Sequence, residues 1–305
     1  MPQRVALIVN PTSGKGAGRQ LGAQTRRLLA DAGHDVVDVS GNTYEQARSQ
    51  ALAAVADGVD TVLVVGGDGM VHLGVNVCAG SSTRLAVVAA GTGNDFARNL
   101  GLPVRDAAAA VSLLTGGCTR EIDLGRVSHG VADERWFGGV LGAGFDAVVN
   151  ARAQRMTWPR GQMRYNLAVL RELPVFRPIP YAIELDGHRV ETRAMLVAVA
   201  NTTSFGGGMR VCPDADVADG LFDVMIVHAL SVVAFLRVFP KVYSGSHTTH
   251  PAVEIRRARR VRLEASGIQS QADGESFAEL PIDAEVVPGA LRVVAPALSL
   301  SEVVA

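Results

Sequence analysis

Cysteine is scarce in this 305-residue chain: Cys78, Cys118 and Cys212 are an odd number, far apart, with no C-x-x-C pair and no zinc-like His/Cys spacing. A disulfide framework or a zinc-stapled fold is excluded, and the thiols read as packing or incidental residues. Long apolar runs are missing too, none approaching the ~20 residues of a membrane-spanning helix. Nor does one sign of charge prevail: 29 Lys and Arg stand against 30 Asp and Glu. No global field therefore draws the chain to nucleic acid, and any anionic partner must be recognised locally. The opening MPQRVALIVNPTSG passes from a charge straight into a strand-like run, without a long apolar region or a small-residue cleavage site. It reads as cytosolic, either soluble or peripheral to a membrane. Internal repeats and low-complexity tracts are absent as well.

What is present suits a packed globular protein, with 48% hydrophobic residues and enough length for two domains. Strand-like runs at Val5–Asn10, Asp35–Val39, Thr61–Val65 and Leu85–Ala89 alternate with helical spacing over Arg19–Ala32 and Tyr44–Ala56. That alternation predicts a parallel α/β domain over residues 1–122. From Ile122 the texture changes to short strand candidates: Trp136–Leu141, Tyr181–Leu185, Val190–Ala200, Phe222–Val227, Val253–Ile255, Val261–Ala265 and Leu291–Val294. Helical patterns at Asp146–Met156 and Met163–Leu173 interrupt them. The expected class is thus α/β plus β, with a mainly antiparallel β domain over 123–305 whose C-terminal segment is able to return to the first domain. An exposed β edge in that domain would permit a homodimer.

Three Gly-rich loops carry the chemistry. Asn10-Pro11-Thr12-Ser13-Gly14-Lys15-Gly16 follows the first strand and precedes a helix, which suits phosphate although the P-loop spacing is absent. Gly66-Gly67-Asp68-Gly69 follows the third run, where glycines admit a nucleotide to the backbone and a carboxylate can organise a metal or a hydroxyl. Gly91-Thr92-Gly93-Asn94-Asp95-Phe96 follows the fourth. Each has a plain reading as a turn or a capped helix start. All three, however, lie beyond strands predicted to be parallel, so they converge on one edge of one sheet, where open α/β sheets bind ligands.

Asn10–Gly14, Gly66–Gly69 and Gly91–Arg98 resemble, in order and spacing, the signature blocks of the diacylglycerol kinase catalytic domain family. Asp123-Leu124-Gly125, Gly142–Asp146, Gly206–Pro213, Ala218–Asp223 and Ala272–Glu275 continue the likeness, and Met156–Leu173 looks similar to soluble actinobacterial members. The resemblance implies an ATP-dependent, Mg²⁺-requiring kinase that phosphorylates a diacylglycerol-like lipid for phospholipid biosynthesis. It implies a nucleotide site at Asn10, Pro11, Thr12, Ser13, Gly14, Gly66, Gly67, Asp68, Gly69, Thr92 and Asn94. Asp68 and Asp95 would stand near the transferring phosphate, Glu275 would be the general base, and Asp273 is the runner-up for that role. Asp219, with Asp216 and Leu221 through their main-chain oxygens, would form a structural Mg²⁺ loop. A surface turn at Asp273-Gly274 and a capped turn at Asp219-Gly220 are the plain alternatives.

The chain departs from the family at Met70, His72 and Leu73, where a Thr and an Asn-Glu pair are usual. A histidine opening a helix reads as solvated or capping. Arg152, Arg155, Trp158, Arg160 and Arg164 form a candidate surface for transient docking at the inner membrane face, with a salt-bridged helix as the alternative. Arg256, Arg257, Arg259 and Arg260 invite the same two readings. Other functions compatible with the loops are a kinase of a sphingoid base or monoacylglycerol, an NAD kinase, and an inactive nucleotide- or lipid-binding regulator.

Overall fold

The computed structural model describes residues 2–130, 133–156, 158, 163, 167–168, 171–172 and 176–297. They form two compact units, Met1–Ile122 with Gly289–Ala305, and Asp123–Pro288.

In the first unit the chain runs β1 (Arg4–Val9), α1 (Ala17–Asp31), β2 (Asp35–Asp38), α2 (Tyr44–Ala56), β3 (Thr61–Gly66), α3 (Asp68–Cys78), β4 (Arg84–Ala89), α4 (Asp95–Asn99) and α5 (Ala107–Gly116). The strands pair in parallel in the order β4-β3-β1-β2. Every residue of β3 is buried, as a central parallel strand covered on both faces must be. Its run Thr-Val-Leu-Val-Val is accordingly apolar without alternation, and Leu63 and Val65 join Leu7, Leu29 and Val88 in one core cluster. Helices α2 and α5 begin at capping side chains: Thr43 accepts from the amide of Gln46, and Asp106 from that of Ala109.

The second unit contains most of β5 (Thr119–His129), then β6 (Asp133–Phe137), β7 (Val140–Gly144), α6 (Phe145–Arg155), β8 (Ile179–Leu185), β9 (His188–Ala200), β10 (Phe222–His228), α7 (Val232–Val238), β11 (Val253–Ala258), β12 (Arg260–Glu264), β13 (Gln269–Ala272), β14 (Glu275–Glu279) and the start of β15 (Ile282–Val294). Its pairings are antiparallel, with β9 between β7, β8 and β10 along its length. The period-two geometry explains why β9 and β10 are apolar at successive positions. Val197, Val199, Val224 and Ile226 enter one core cluster, whereas Ala198, Ala200, Met225 and Val227 enter another on the opposite face. The end of β15 belongs to the first unit, where Val293 pairs in parallel with Leu85.

Several expectations need correction. Trp136–Leu141 is not one strand: Gly138-Gly139 separates β6 from β7, and both glycine amides are held by the carboxylate of Asp273. His72 is neither solvated nor a cap, being only 3% exposed at the fifth position of α3, and Asn76 Nδ2 donates to its carbonyl at 2.9 Å. Leu73 is fully buried and Met70 lies against Gly66, so these departures from the family pattern are packing positions. The expected helix Met163–Leu173 lies largely outside the described residues. Cys78 and Cys212 are buried while Cys118 is exposed, and burial pushes the Cys78 thiol up to about 12, which suits an inert packing residue.

One packing constraint yields a prediction. Gly125 lies opposite the fully buried Phe137, and a Cβ there would come within 2.1 Å of the ring. Gly125→Ala is expected to destabilise the protein by about 1–3 kcal/mol through overpacking. Urea unfolding reads the change, and an unaltered midpoint would mean that the ring moves aside at no cost.

Candidate active site

The three Gly-rich loops of the first unit are packed backbone against backbone. Gly14 adopts φ +59°, and a Cβ on it would lie 2.0 Å from the carbonyl oxygen of Ala90. A Cβ on Gly91 would lie 2.6 Å from Gly67 Cα, and one on Gly67 would lie 3.2 Å from Gly91 Cα. Only glycine allows β1, β3 and β4 to end so close together. Lys15 is also left-handed at φ 63°, a conformation that non-glycine residues adopt seldom and chiefly at functional loops.

Helix ends distinguish this edge from the rest of the unit. Helix α1 starts from Gly16 and α3 from Gly67, and neither has a capping side chain, in contrast to α2 and α5. Their leading amides, with the positive end of each helix dipole, form a donor surface suited to an anion. Thr12 is exposed, and Asn10 Oδ1 accepts from both its amide and its hydroxyl, at 3.0 and 2.8 Å. Pro11 and Thr92 are exposed, while Ser13, Gly14, Gly67 and Gly69 are partly so.

Asp68 opens α3, yet its carboxylate is committed to a different helix. Oδ2 accepts from the amide of Asn94 and Oδ1 from that of Asp95, both at 2.8 Å. Asp68 thereby caps α4 from the neighbouring loop. Asn94 occupies the N-cap position in a left-handed conformation, but its side chain turns back, accepting from Gly91 N at 2.8 Å and donating to Gly91 O at 3.1 Å. Burial, with the Asp95 charge second, holds the Asp68 carboxyl above the usual carboxylate range despite the amides of Asn94 and Asp95. Arg105, overlooked in the sequence, donates to Gly91 O at 3.3 Å and is itself left-handed, a placement with no local sequence signal.

The second unit holds the remaining candidates. Asp273, left-handed at φ 53°, accepts three amides, from Gly138 at 3.0 Å, Gly139 at 2.8 Å and Val140 at 3.2 Å. Glu275, two residues on, is exposed at the start of β14. In the loop Asp216–Leu221, Asp216 Oδ1 accepts Ala218 N and Asp219 Oδ1 accepts Leu221 N, while Asp219 Oδ2 is paired with Arg257. Asp123, 4% exposed, fastens this loop by accepting Gly220 N at 2.7 Å. Buried Asn201 donates to the carbonyls of Asp123 and Gly138. Asp123 was legible as part of its Asp-Leu-Gly block, whereas nothing adjacent marked Asn201.

Among the described residues no three His, Cys, Asp or Glu side chains converge to hold a metal. The loop to which the family resemblance assigns a cation brings Asp219 and Asp223 together around Arg257, which is paired with Asp219 and stands 3.8 Å from Asp223 Oδ2, an oxygen buried without a hydrogen-bond partner. Burial raises the Asp223 carboxyl, Arg257 lowers it, and Asp219 and Asp214 raise it further. A cation there would offset this crowding of carboxylates.

The candidate docking residues divide. Arg152 is paired with Glu172, Arg155 is exposed, and Trp158 is 76% exposed. Arg160 and Arg164 lie outside the described residues. Arg256 is paired with Glu254 and Arg257 with Asp219, so for these two the salt-bridged reading holds. Among the described residues no helix is long and apolar enough to cross a membrane.

Known proteins match both parts of this geometry. Residues 4–127 match the diacylglycerol kinase catalytic domain, and residues 139–295 match the YegS C-terminal NAD kinase beta sandwich-like domain. A diacylglycerol kinase of Mycobacterium tuberculosis is 42% identical over 96% of this chain and 95% of its own length. One from Bacillus subtilis is 31% identical over 92% of each. A crystal structure of a Bacillus anthracis diacylglycerol kinase superposes with a TM-score of 0.72 at 22% identity, covering 96% of this chain and 97% of that one. An Archaeoglobus fulgidus NAD kinase solved with ATP shares the fold at a TM-score of 0.56 and 13% identity, covering 95% and 93%.

The raised Asp68 carboxyl gives a pH test. The folded state holds this proton more tightly than the unfolded chain, so ionisation opposes folding. The penalty is absent below the ordinary aspartate value of about 3.9 and grows as pH rises through the raised folded value. Asp68→Asn removes it and also loses one amide acceptor at every pH. Relative to wild type, the variant should therefore gain stability as pH rises from about 4, in urea unfolding at matched ionic strength. A pH-independent difference would show that Asp68 titrates normally.

Proposed function

This chain belongs to the diacylglycerol kinase family, and from that membership we propose that it transfers the γ-phosphoryl group of ATP to the free hydroxyl of diacylglycerol, yielding phosphatidic acid and ADP. Lipid-kinase activity follows from the family itself. The observation that carries the reading is the pair of helices, α1 and α3, that begin beside close-packed glycine loops without a capping side chain.

The amides of Asn10–Gly14 and Gly66–Gly69, with Thr92, would receive the polyphosphate, as phosphoryl transfer is governed by positioning and charge neutralisation. Asp68 contributes by fixing Asn94 and Asp95, and so orients Asp95 toward its proposed place near the γ-phosphate. Glu275 is the proposed base: it accepts the hydroxyl proton as the lipid oxygen bonds to phosphorus and the bond to ADP breaks. Asp273, with three amides already on its carboxylate, is better suited to positioning Gly138–Val140 than to moving a proton. Mg²⁺ accompanying the nucleotide would neutralise phosphate charge. A second Mg²⁺ would be held by Asp219 with the main-chain oxygens of Asp216 and Leu221. Because the substrate lies in a bilayer, the protein would work at the membrane surface, with Arg155 and Trp158 on the docking face.

Phosphatidic acid formation from diacylglycerol in mixed micelles, with Mg²⁺ and ATP, tests this directly. Glu275→Ala is expected to lower kcat by about 10²–10⁴ with little change in ATP affinity. Asp273→Asn should lose less activity and more stability, and the reverse ranking would transfer the base to Asp273. Turnover of a sphingoid base, monoacylglycerol or NAD in place of diacylglycerol would replace the substrate, and ATP binding without any turnover would indicate a regulator. Gly14→Ala should weaken ATP binding on the order of tenfold, since the left-handed backbone alone costs roughly 1–2 kcal/mol. Titration calorimetry reads this loss, and wild-type affinity would place the nucleotide away from the first loop.

A further inference from the structure

Arg105 has no part in the reaction above, yet the chain adopts a disfavoured backbone to place it. It lies between α4 and α5, in a segment that adds one bridge to the parallel sheet, Val104 beside Ala89 at the end of β4. Its amide donates to the Ala89 carbonyl at 2.9 Å. Its φ is +57°, in the left-handed region that a side chain enters at a cost and that glycine adopts readily. Lys15 and Asn94, which share this conformation, stand in the first and third glycine loops. Strained backbone of this kind gathers at functional loops and needs support from its surroundings, here the bond to Ala89.

The side chain returns to the third glycine loop. Nη2 donates to Gly91 O at 3.3 Å, the same carbonyl that Asn94 Nδ2 meets at 3.1 Å. Because Gly91 abuts Gly67, the guanidinium is anchored where the second and third loops touch. A carbonyl positions a guanidinium without cancelling its charge, whereas a carboxylate does both. Arg26, Arg126, Arg256 and Arg262 each meet a carboxylate, but among the described residues none pairs with Arg105. The adjacent Asp106 is committed elsewhere, capping α5 by accepting Ala109 N at 2.9 Å. A guanidinium carries five N–H donors in a planar fork that matches the oxygens of a phosphate. Arg105 is exposed, so the donors not on Gly91 are open to an anion. A tie for the loop alone would need neither the charge nor the left-handed backbone, since Asn94 already donates to Gly91 O.

We propose that Arg105 is a phosphate-binding residue of the nucleotide site, donating to the polyphosphate of ATP from its anchor on the third glycine loop. The proposal rests on the nucleotide-site reading and adds a full positive charge to the partial charges of the loop amides. Held by Gly91 and Ala89 before the nucleotide arrives, the guanidinium meets phosphate oxygens with little reorganisation. Part of the ATP affinity then comes from this exposed charge and is weakened by salt.

Arg105→Gly in the full chain separates charge from fold, because glycine accepts the left-handed backbone while the side chain is lost. Binding of ATP with Mg²⁺ is followed by titration calorimetry across a salt series, beside thermal melts. The variant is expected to bind ATP about tenfold more weakly, the low end for a hydrogen bond to a charged group. Its affinity should fall less steeply with salt than that of wild type, and its Tm should be no lower. Arg105→Lys should recover part of the affinity and the steeper salt dependence, since the charge returns without the fork. Wild-type ATP affinity in Arg105→Gly would overturn the proposal and leave the nucleotide site standing. A loss that keeps the wild-type salt dependence would also overturn it, marking Arg105 as a tie for Gly91. Inorganic tripolyphosphate distinguishes the proposal from the reading beneath it: if wild type binds tripolyphosphate but not ATP, and Arg105→Gly weakens that binding, the phosphate contact stands and the nucleotide reading falls. Wild type that binds neither would overturn both.

Discussion

The glycine-loop edge of the first unit depends on the Asp68 carboxylate meeting the amides of Asn94 and Asp95. Those two bonds, both 2.8 Å, give α4 its cap from another loop and hold the second and third glycine loops at one separation. The close approach of Gly67 to Gly91 then follows, because no Cβ intervenes, and Gly14 seats against Ala90 for the same reason. Burial makes the arrangement costly to ionise, which is why the carboxyl of Asp68 is raised while it accepts two amides. Amides held rigidly in this way would need no reorganisation on meeting an anion.

The same device recurs across the chain with different residues. Asp273 gathers the amides of Gly138, Gly139 and Val140, Asp123 holds Gly220, and Asp186 accepts the amides of Arg259 and Arg260. In each case an aspartate from one segment satisfies backbone donors of another that would otherwise be left without partners. Acidic residues beside glycine are therefore ambiguous in a sequence. They are as readily the fasteners of a site as its reagents, and only the count of amides on each carboxylate separates Asp273 from Glu275.

Much of the fold was readable because its strongest signals are local. Helix α2 has the expected bounds, Tyr44–Ala56, and the four parallel strands lie within a residue of their predicted limits. Three glycine loops after three parallel strands implied one site edge without any knowledge of side-chain positions. The rest was hidden for physical reasons. The break at Gly138-Gly139 is imposed by a carboxylate 134 residues away, measured from Gly139 to Asp273. His72 reads as polar but is buried in α3, where Asn76 meets its carbonyl. Arg105 and Asn201 owe their placement to long-range folding, and no neighbouring residue announces it.

Strand β15 has a consequence for how the protein is made. Its last residues pair with Leu85 and bring Leu291, Val293 and Val294 into the first unit, although nearly the whole second unit is encoded between the two parts. On a ribosome adding ~5–20 residues per second, the first unit waits with its β4 edge and part of its core uncovered until residue 294 emerges. The interrupted unit, though synthesised first, is thus the later one to be completed. Part of its core closes only when residues 291–294 have emerged, so a product truncated before them would lack a finished core rather than carry a working half.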